Sequence, residues 1–168
     1  MESDQAFETE LAQLLPRLRR FAFALSRDAA DADDLAQAAI ERALRSQAQW
    51  QPGTRLDSWV FRITRNLWID TVRSRSRKQR SEAPEEEAQN IGDDPREAMD
   101  ASLELKRAMA AMERLPDEQR EVVALILIEG FGYREASELL GLPIGTVSSR
   151  LVRGRIALLQ MLGGVDDD

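Results

Sequence analysis

The stretch from Ser81 to Asp100, SEAPEEEAQNIGDDPREAMD, limits more than any other what this chain can fold into. It has a net charge of −7 with few apolar residues and includes both Pro and Gly. Such a segment cannot bury enough apolar surface to offset the entropy of ordering, so it reads as a flexible acidic tether. The chain is thereby divided into residues 1–80 and 101–164, each small and each needing a core of its own.

Both blocks carry helical periodicity, with no sustained period-2 alternation and no Asn-Gly or Asp-Gly hairpin signal. The expected fold is all-α, two small helical domains joined by the linker. Phe7, Leu11, Leu14, Leu15, Leu18, Phe21 and Leu25 recur at three- and four-residue steps, and Pro16 splits or kinks that segment. A second helix is expected to begin near Asp31, with an aspartate capping its amides, and to run through DADDLAQAAIERAL to about Arg45. QAQWQPGT breaks the pattern, and a third helix from about Leu56 carries DSWVFRITRNLWIDTVRSRSR. Beyond the linker, Leu105, Met109 and Met112 share one helical face, Pro116 suits the first turn of the next helix, and Gly130 and Gly132 bracket a turn. The chain ends in DDD, read as a frayed tail.

The sequence contains no histidine and no cysteine, which removes imidazole bases, thiol nucleophiles and their metal sites. No carboxylate pair, Gly-rich phosphate loop or metal-ligand spacing stands out, so no catalytic residue, metal or cofactor is expected. The N-terminus has no basic stretch followed by an apolar core, and no run approaches the roughly 20 apolar residues of a membrane span. A cytoplasmic protein with no membrane insertion is expected.

A formal net charge of −7 argues against a general polyanion binder, yet residues 55–80 alone carry a net +6. In the third helix Arg62, Arg65 and Arg73 interleave with Trp59, Phe61 and Trp68. Rings beside cations suit single-stranded nucleic acid, where bases stack and arginines follow the backbone. A small helical core also needs large apolar side chains and competes for the same aromatics. In the second helix Asp34, Gln37 and Glu41 lie at i, i+3 and i+7, beside a stripe of Leu35, Ala39 and Ala43. That acidic face suits either plain solvation or a basic helical partner.

Near the C-terminus, YREASELLG and TVSSRLVRGRIALLQML are two helices joined by the tight connection LPIG, a helix-turn-helix pattern. Thr146, Arg150 and Arg153 fall at i, i+4 and i+7 on one face of the second, whereas Val147, Leu151 and Leu158 face inward. Thr and Ser contact phosphate or base edges without bulk, and Arg binds guanine or phosphate bidentately.

Together these motifs resemble the extracytoplasmic-function subfamily of bacterial sigma factors, the small initiation subunits of RNA polymerase, over nearly the whole chain. DADDLAQAAIERAL is similar to the polymerase-binding motif of sigma region 2. LDSWVFRITRNLWIDTVRSRSRK is similar to its strand-opening and minus-10 segment, including Trp59, Ile63, Asn66, Asp70 and Arg73. LPDEQREVVALILIEGFGYREASELLGLPIGTVSSRLVRGRIAL is similar to region 4. The resemblance implies that Asp34, Leu35, Gln37 and Glu41 dock on the clamp helices of the large polymerase subunit. It implies that Trp59, Arg62, Arg65, Asn66 and Arg73 hold the minus-10 non-template strand, and that the loop from Gln49 to Asp57 captures a flipped base. Thr146, Ser148, Ser149, Arg150 and Arg153 would contact duplex minus-35 DNA, with the acidic linker threading through polymerase between the two sites. Control by an anti-sigma factor is the family mode for a chain with no C-terminal regulatory extension. The chain departs from the family pattern at Ala136 and Ser137, where Ile-Ala is frequent, and at Ala39, where bulkier residues are.

Two rivals stand beside this reading. A sigma-like decoy that sequesters an anti-sigma factor would be expected to lose its DNA-facing residues, whereas the arginines remain here. A free-standing helix-turn-helix regulator would explain residues 117 to 158 and leave the first eighty unassigned.

Overall fold

A computed structural model describes residues 1–81 and 102–163, all outside strands. The acidic stretch from residue 82 and the DDD tail, read as tether and frayed end, lie outside the described residues. The chain divides into two compact units, Met1–Gly92 and Asp93–Asp168.

In the first unit, α1 (Glu2–Gln13) and α2 (Leu15–Ser26) are separate helices broken at Leu14, with Pro16 in the first turn of α2, where its missing N–H costs nothing. Helix α3 (Ala29–Arg45) starts two residues before the expected Asp31, because Asp28 is the cap: its Oδ1 accepts the Asp31 N–H at 2.9 Å. A 3₁₀ turn (Gln47–Gln49) and a loop lead to α4 (Leu56–Ser81). Helices α2, α3 and α4 pack on one another, and α1 rests against α2 and α3. The seam of α3 is made of alanines: Ala36, Ala39 and Ala43 are all fully buried. Small side chains there let the neighbouring helices approach closely, which is why Ala39 takes the place of a larger residue without leaving α3 exposed. Phe21 and Phe61 stack at 5.0 Å in the core, and the Arg17 guanidinium lies 5.1 Å from the centre of the Phe61 ring.

In the second unit, α5 (Leu103–Glu113), α6 (Asp117–Val123), a π turn (Ala124–Ile128), α7 (Tyr133–Leu140) and α8 (Ile144–Gly163) follow in order. Helix α8 is the hub, packing against α5, α6 and α7. Pro116 sits one residue ahead of α6, at its cap. The expected apolar face of α5 is only partly covered: Met109 and Met112 are half-buried, Leu105 is exposed, and Ala111 takes the buried position. Arg120 is the largest fully buried side chain; its Nη1 donates to the Leu115 carbonyl at 2.6 Å and its Nη2 bonds Asp117. A charged group at that depth is tolerable because the guanidinium fork meets a carboxylate and a backbone carbonyl in the turn between α5 and α6.

The turn between α7 and α8 is built from Gly141 and Ser137. Gly141 ends α7 in the left-handed region, φ 66°, which a side chain would strain. The Ser137 hydroxyl donates to the Leu142 carbonyl, and the Leu142 N–H donates back to the Ser137 carbonyl at 3.1 Å. Serine in place of the more frequent alanine thus braces the turn that aims α8.

Candidate functional site

The first candidate surface belongs to α4. At 3.6 residues per turn, Trp59, Arg62, Asn66, Arg73, Arg77 and Arg80 fall within about 60° of one another. Arg62, Asn66, Arg73, Arg77 and Arg80 are exposed along it, with the exposed Asp70 beside them between Asn66 and Arg73, so this is a mainly cationic rail some six turns long. Trp59 begins it, half-buried and tilted edge-on against Phe7 at 6.3 Å. Arg65 stands to one side of the rail, half-buried. Phe61 and Trp68 face the other way: Phe61 is core, and Trp68 lies under Arg75, whose guanidinium is 5.7 Å from its ring centre. Of the three interleaved aromatics only Trp59 therefore borders the rail. Arg77 and Arg80 continue it at i+4 and i+7 from Arg73, a spacing legible in the sequence.

The loop before α4 is pinned at both ends. At its start Trp50 packs on Phe7 at 5.6 Å, with its indole nitrogen buried and unpartnered. At its end Asp57 gathers Arg55 (2.8 Å), Arg17 (3.2 Å) and the Ser58 N–H (2.8 Å). Burial pushes the Asp57 carboxyl up, but hydrogen bonds from Arg55, Arg17 and Ser58 outweigh it and hold the group below the usual aspartate value. Between these anchors Gln51 to Arg55 are exposed, and Gly53 takes φ 90° at the tip.

The second candidate surface is the outer face of α3, where Asp34, Gln37 and Glu41 are exposed in one row. Leu35 is not part of it. At 5% exposure, with Ala39 and Ala43 fully buried, the stripe beside the acidic row is core, so Leu35 anchors the helix and offers nothing to a partner. Asp31, which the sequence suggested as the cap, instead pairs with Arg75 of α4 through two bonds of 2.8 and 2.9 Å. The Arg75 hydrogen bonds hold its carboxyl below the usual aspartate value against a contribution from burial.

The third is α8. Val147 and Leu151 are buried as expected, while Leu158 is only half-buried. Gly154 completes the inward face, which the sequence left unassigned. Ser149 and Arg153 point away from that face, and Thr146 and Arg150 flank them. Arg150 is partly covered and reaches to 3.6 Å from the Glu118 carboxylate of α6. The Ser149 hydroxyl donates to the Thr146 carbonyl at 3.1 Å. Ser148 lies on the opposite flank from Thr146, above the exposed row Val152, Ile156 and Leu159. Val152 is half exposed at the head of that row. Its signal in the sequence was an apolar residue out of phase with the core positions Val147 and Leu151.

Among the described residues no group of carboxylates could hold a metal ion, and no helix is long and apolar enough to cross a membrane.

Residues 11–78 match the model of sigma-70 region 2 and residues 105–158 that of sigma-70 region 4. The chain is 35% identical over 162 residues to the ECF RNA polymerase sigma factor EcfG of Rhodopseudomonas palustris, covering 96% of this chain and 88% of that one. It is 30% identical to the RNA polymerase sigma factor CarQ of Myxococcus xanthus, over 98% of this chain and 93% of that one. Among solved structures it is similar to the sigma factor RpoE of Bartonella quintana in complex with the anti-sigma factor NepR, with TM-score 0.80 and 34% identity over 95% of this chain and 98% of that one. It is also similar to CnrH bound to the cytosolic domain of CnrY, with TM-score 0.68 and 26% identity over 98% and 90% of the two chains.

Proposed function

Because the chain belongs to the extracytoplasmic-function subfamily of sigma-70 RNA polymerase sigma factors, we propose that its three exposed surfaces divide the work of promoter opening among polymerase, single-stranded DNA and duplex DNA. The observation that carries this reading is the α4 rail: arginines on one face of one helix, with Asn66 among them and Trp59 at its head. Arginines along one face attract a phosphate backbone, Asn66 offers both a donor and an acceptor to a base edge, and the Trp59 ring ends the row with a stacking surface.

Asp34, Gln37 and Glu41 of α3 present carboxylates and an amide to the polymerase clamp helices, where charge complementarity sets register. Trp59, Arg62, Asn66 and Arg73, extended by Arg77 and Arg80, hold the minus-10 non-template strand. Arg65 supports them from the edge, and the loop from Gln49 to Asp57 receives a flipped base. Flipping costs unstacking energy of a few kcal/mol, which binding to the rail and the loop offsets. Thr146, Ser149, Arg150 and Arg153, with Ser148 and Val152 at the margin, meet duplex minus-35 DNA in the major groove. The chain makes and breaks no bonds itself; it positions DNA for polymerase. It works in the cytoplasm, in three parts: residues 1–80, the linker 81–100 and residues 101–164. It is held inactive by an anti-sigma factor, as supported by its likeness to the sigma factor RpoE in complex with the anti-sigma factor NepR.

The test is co-elution with core polymerase on size-exclusion chromatography. Wild-type chain should co-elute, and a triple variant Asp34→Ala, Gln37→Ala, Glu41→Ala should not. Co-elution of the triple variant at unchanged affinity would remove α3 from the polymerase interface.

A further inference from the structure

Beyond Thr64, helix α4 has no fully buried residue among those described, yet its distal half carries most of the rail. Residues 65–81 run for about four and a half turns past the last position fixed by the core. Something must hold that half of the helix against the domain if its arginines are to keep a fixed line.

The inward side of the distal half answers this. At 100° per residue, Arg75 lies about 160° around the helix from Arg73 and Arg77, on the same side as Thr64 and Trp68. Its guanidinium takes both oxygens of Asp31 at 2.8 and 2.9 Å and covers the Trp68 ring at 5.7 Å. Asp31 sits in the first turn of α3 and its side chain is only 14% exposed. The partner is thus a carboxylate held by a capped helix end, 44 residues away in sequence.

We propose that Arg75 is a positioning residue and not a DNA contact: clamped by Asp31 and stacked on Trp68, it fixes the line along which Arg73, Arg77 and Arg80 meet the strand. This rests on the promoter-opening function above. A planar fork suits the task, because two parallel bonds fix orientation as well as distance and the flat face packs on an indole. Lysine would keep the charge and lose both properties.

The test uses the full chain with core polymerase on a promoter that the wild type opens, scored by permanganate reactivity of the minus-10 thymines across a salt series. If the wild type opens none, the function above has failed and this inference is not what failed. Asp31→Asn, Arg75→Gln and Arg75→Lys should each lower opening several-fold at unchanged affinity for core polymerase. The salt slope should stay at its wild-type value, and the double variant Asp31→Asn, Arg75→Gln should be no worse than either single change. An ordinary phosphate contact predicts the opposite pattern. Asp31→Asn would then release the arginine and leave or raise opening, Arg75→Lys would stay near wild type, and Arg75→Gln would reduce the slope by about 0.7. That pattern, or wild-type opening by all the variants, would overturn the proposal.

Discussion

A Cβ added at Gly154 of α8 would lie 2.7 Å from the Cγ2 of Val123 on α6 and 3.6 Å from the Cβ of Gln119. The two helices touch backbone to side chain at this point, and the glycine is what allows it. Val123 is buried and β-branched, so its methyl can give way only at a cost.

Gly154→Ala therefore sets two effects against each other. Helix propensity favours alanine by about 1 kcal/mol, while overpacking of a filled core costs about 1–3 kcal/mol. Net destabilisation of about 1 kcal/mol is expected, read from urea unfolding of the chain. In a Val123→Ala background the clash disappears, and the same Gly154→Ala change should become stabilising. A stabilising Gly154→Ala in the native background would show that α6 and α8 do not meet this closely.

The pairing of Glu118 with Arg150 makes a second prediction. On the proposed function, the Glu118 carboxylate 3.6 Å from the Arg150 guanidinium competes with phosphate and sets how strongly Arg150 grips DNA of any sequence. Glu118→Gln should strengthen binding to unrelated duplex more than to promoter duplex, so the specificity ratio falls. Arg153→Ala, whose side chain is exposed, should weaken minus-35 binding by about 1–3 kcal/mol if it reads a base. Fluorescence anisotropy at matched salt measures both, and an unchanged specificity ratio in Glu118→Gln would remove Glu118 from the reading surface.

Acid should loosen the first unit in a defined sense. Asp31 and Asp57 both titrate below the ordinary 3.8, Asp31 through its hydrogen bonds with Arg75 and Asp57 because Arg55, Arg17 and the Ser58 N–H outweigh burial. A carboxyl whose pKa is lower folded than unfolded contributes stability that is fully present above the unfolded value and is lost as pH falls through the folded one. The melting temperature should therefore hold from neutral pH to about pH 5 and fall below pH 4. Asp57→Asn should lower it at neutral pH and flatten the acid limb. All three tryptophans lie in this unit, so indole fluorescence follows it alone. An acid limb unchanged by both Asp57→Asn and Asp31→Asn would contradict the assignment.

Periodicity was enough to read the helices, because long amphipathic segments are local properties. What escaped depended on partners distant in sequence. Asp28 and Asp31 are alike as caps until Arg75, on another helix, takes Asp31. Leu35 is apolar beside an acidic row, and only the packing of α2, α3 and α4 decides that it faces inward. Ser148 and Ser149 are neighbours in sequence but 100° apart on α8, so a motif that names both does not say which one looks outward. Gly154 reads as a weak point in a helix until Val123 is seen against it.

On the proposed function α4 and α8 serve one act, selecting and opening a promoter for polymerase. Run-off transcription with purified core polymerase across a fragmented genomic library is the test. With the chain added, discrete new start sites should appear; Arg150→Ala, Arg153→Ala should abolish them through loss of minus-35 binding, and Asn66→Ala, Arg73→Ala should abolish them on duplex promoters but spare templates pre-melted at minus-10. No new start sites from wild-type chain that co-elutes with core polymerase would contradict the account.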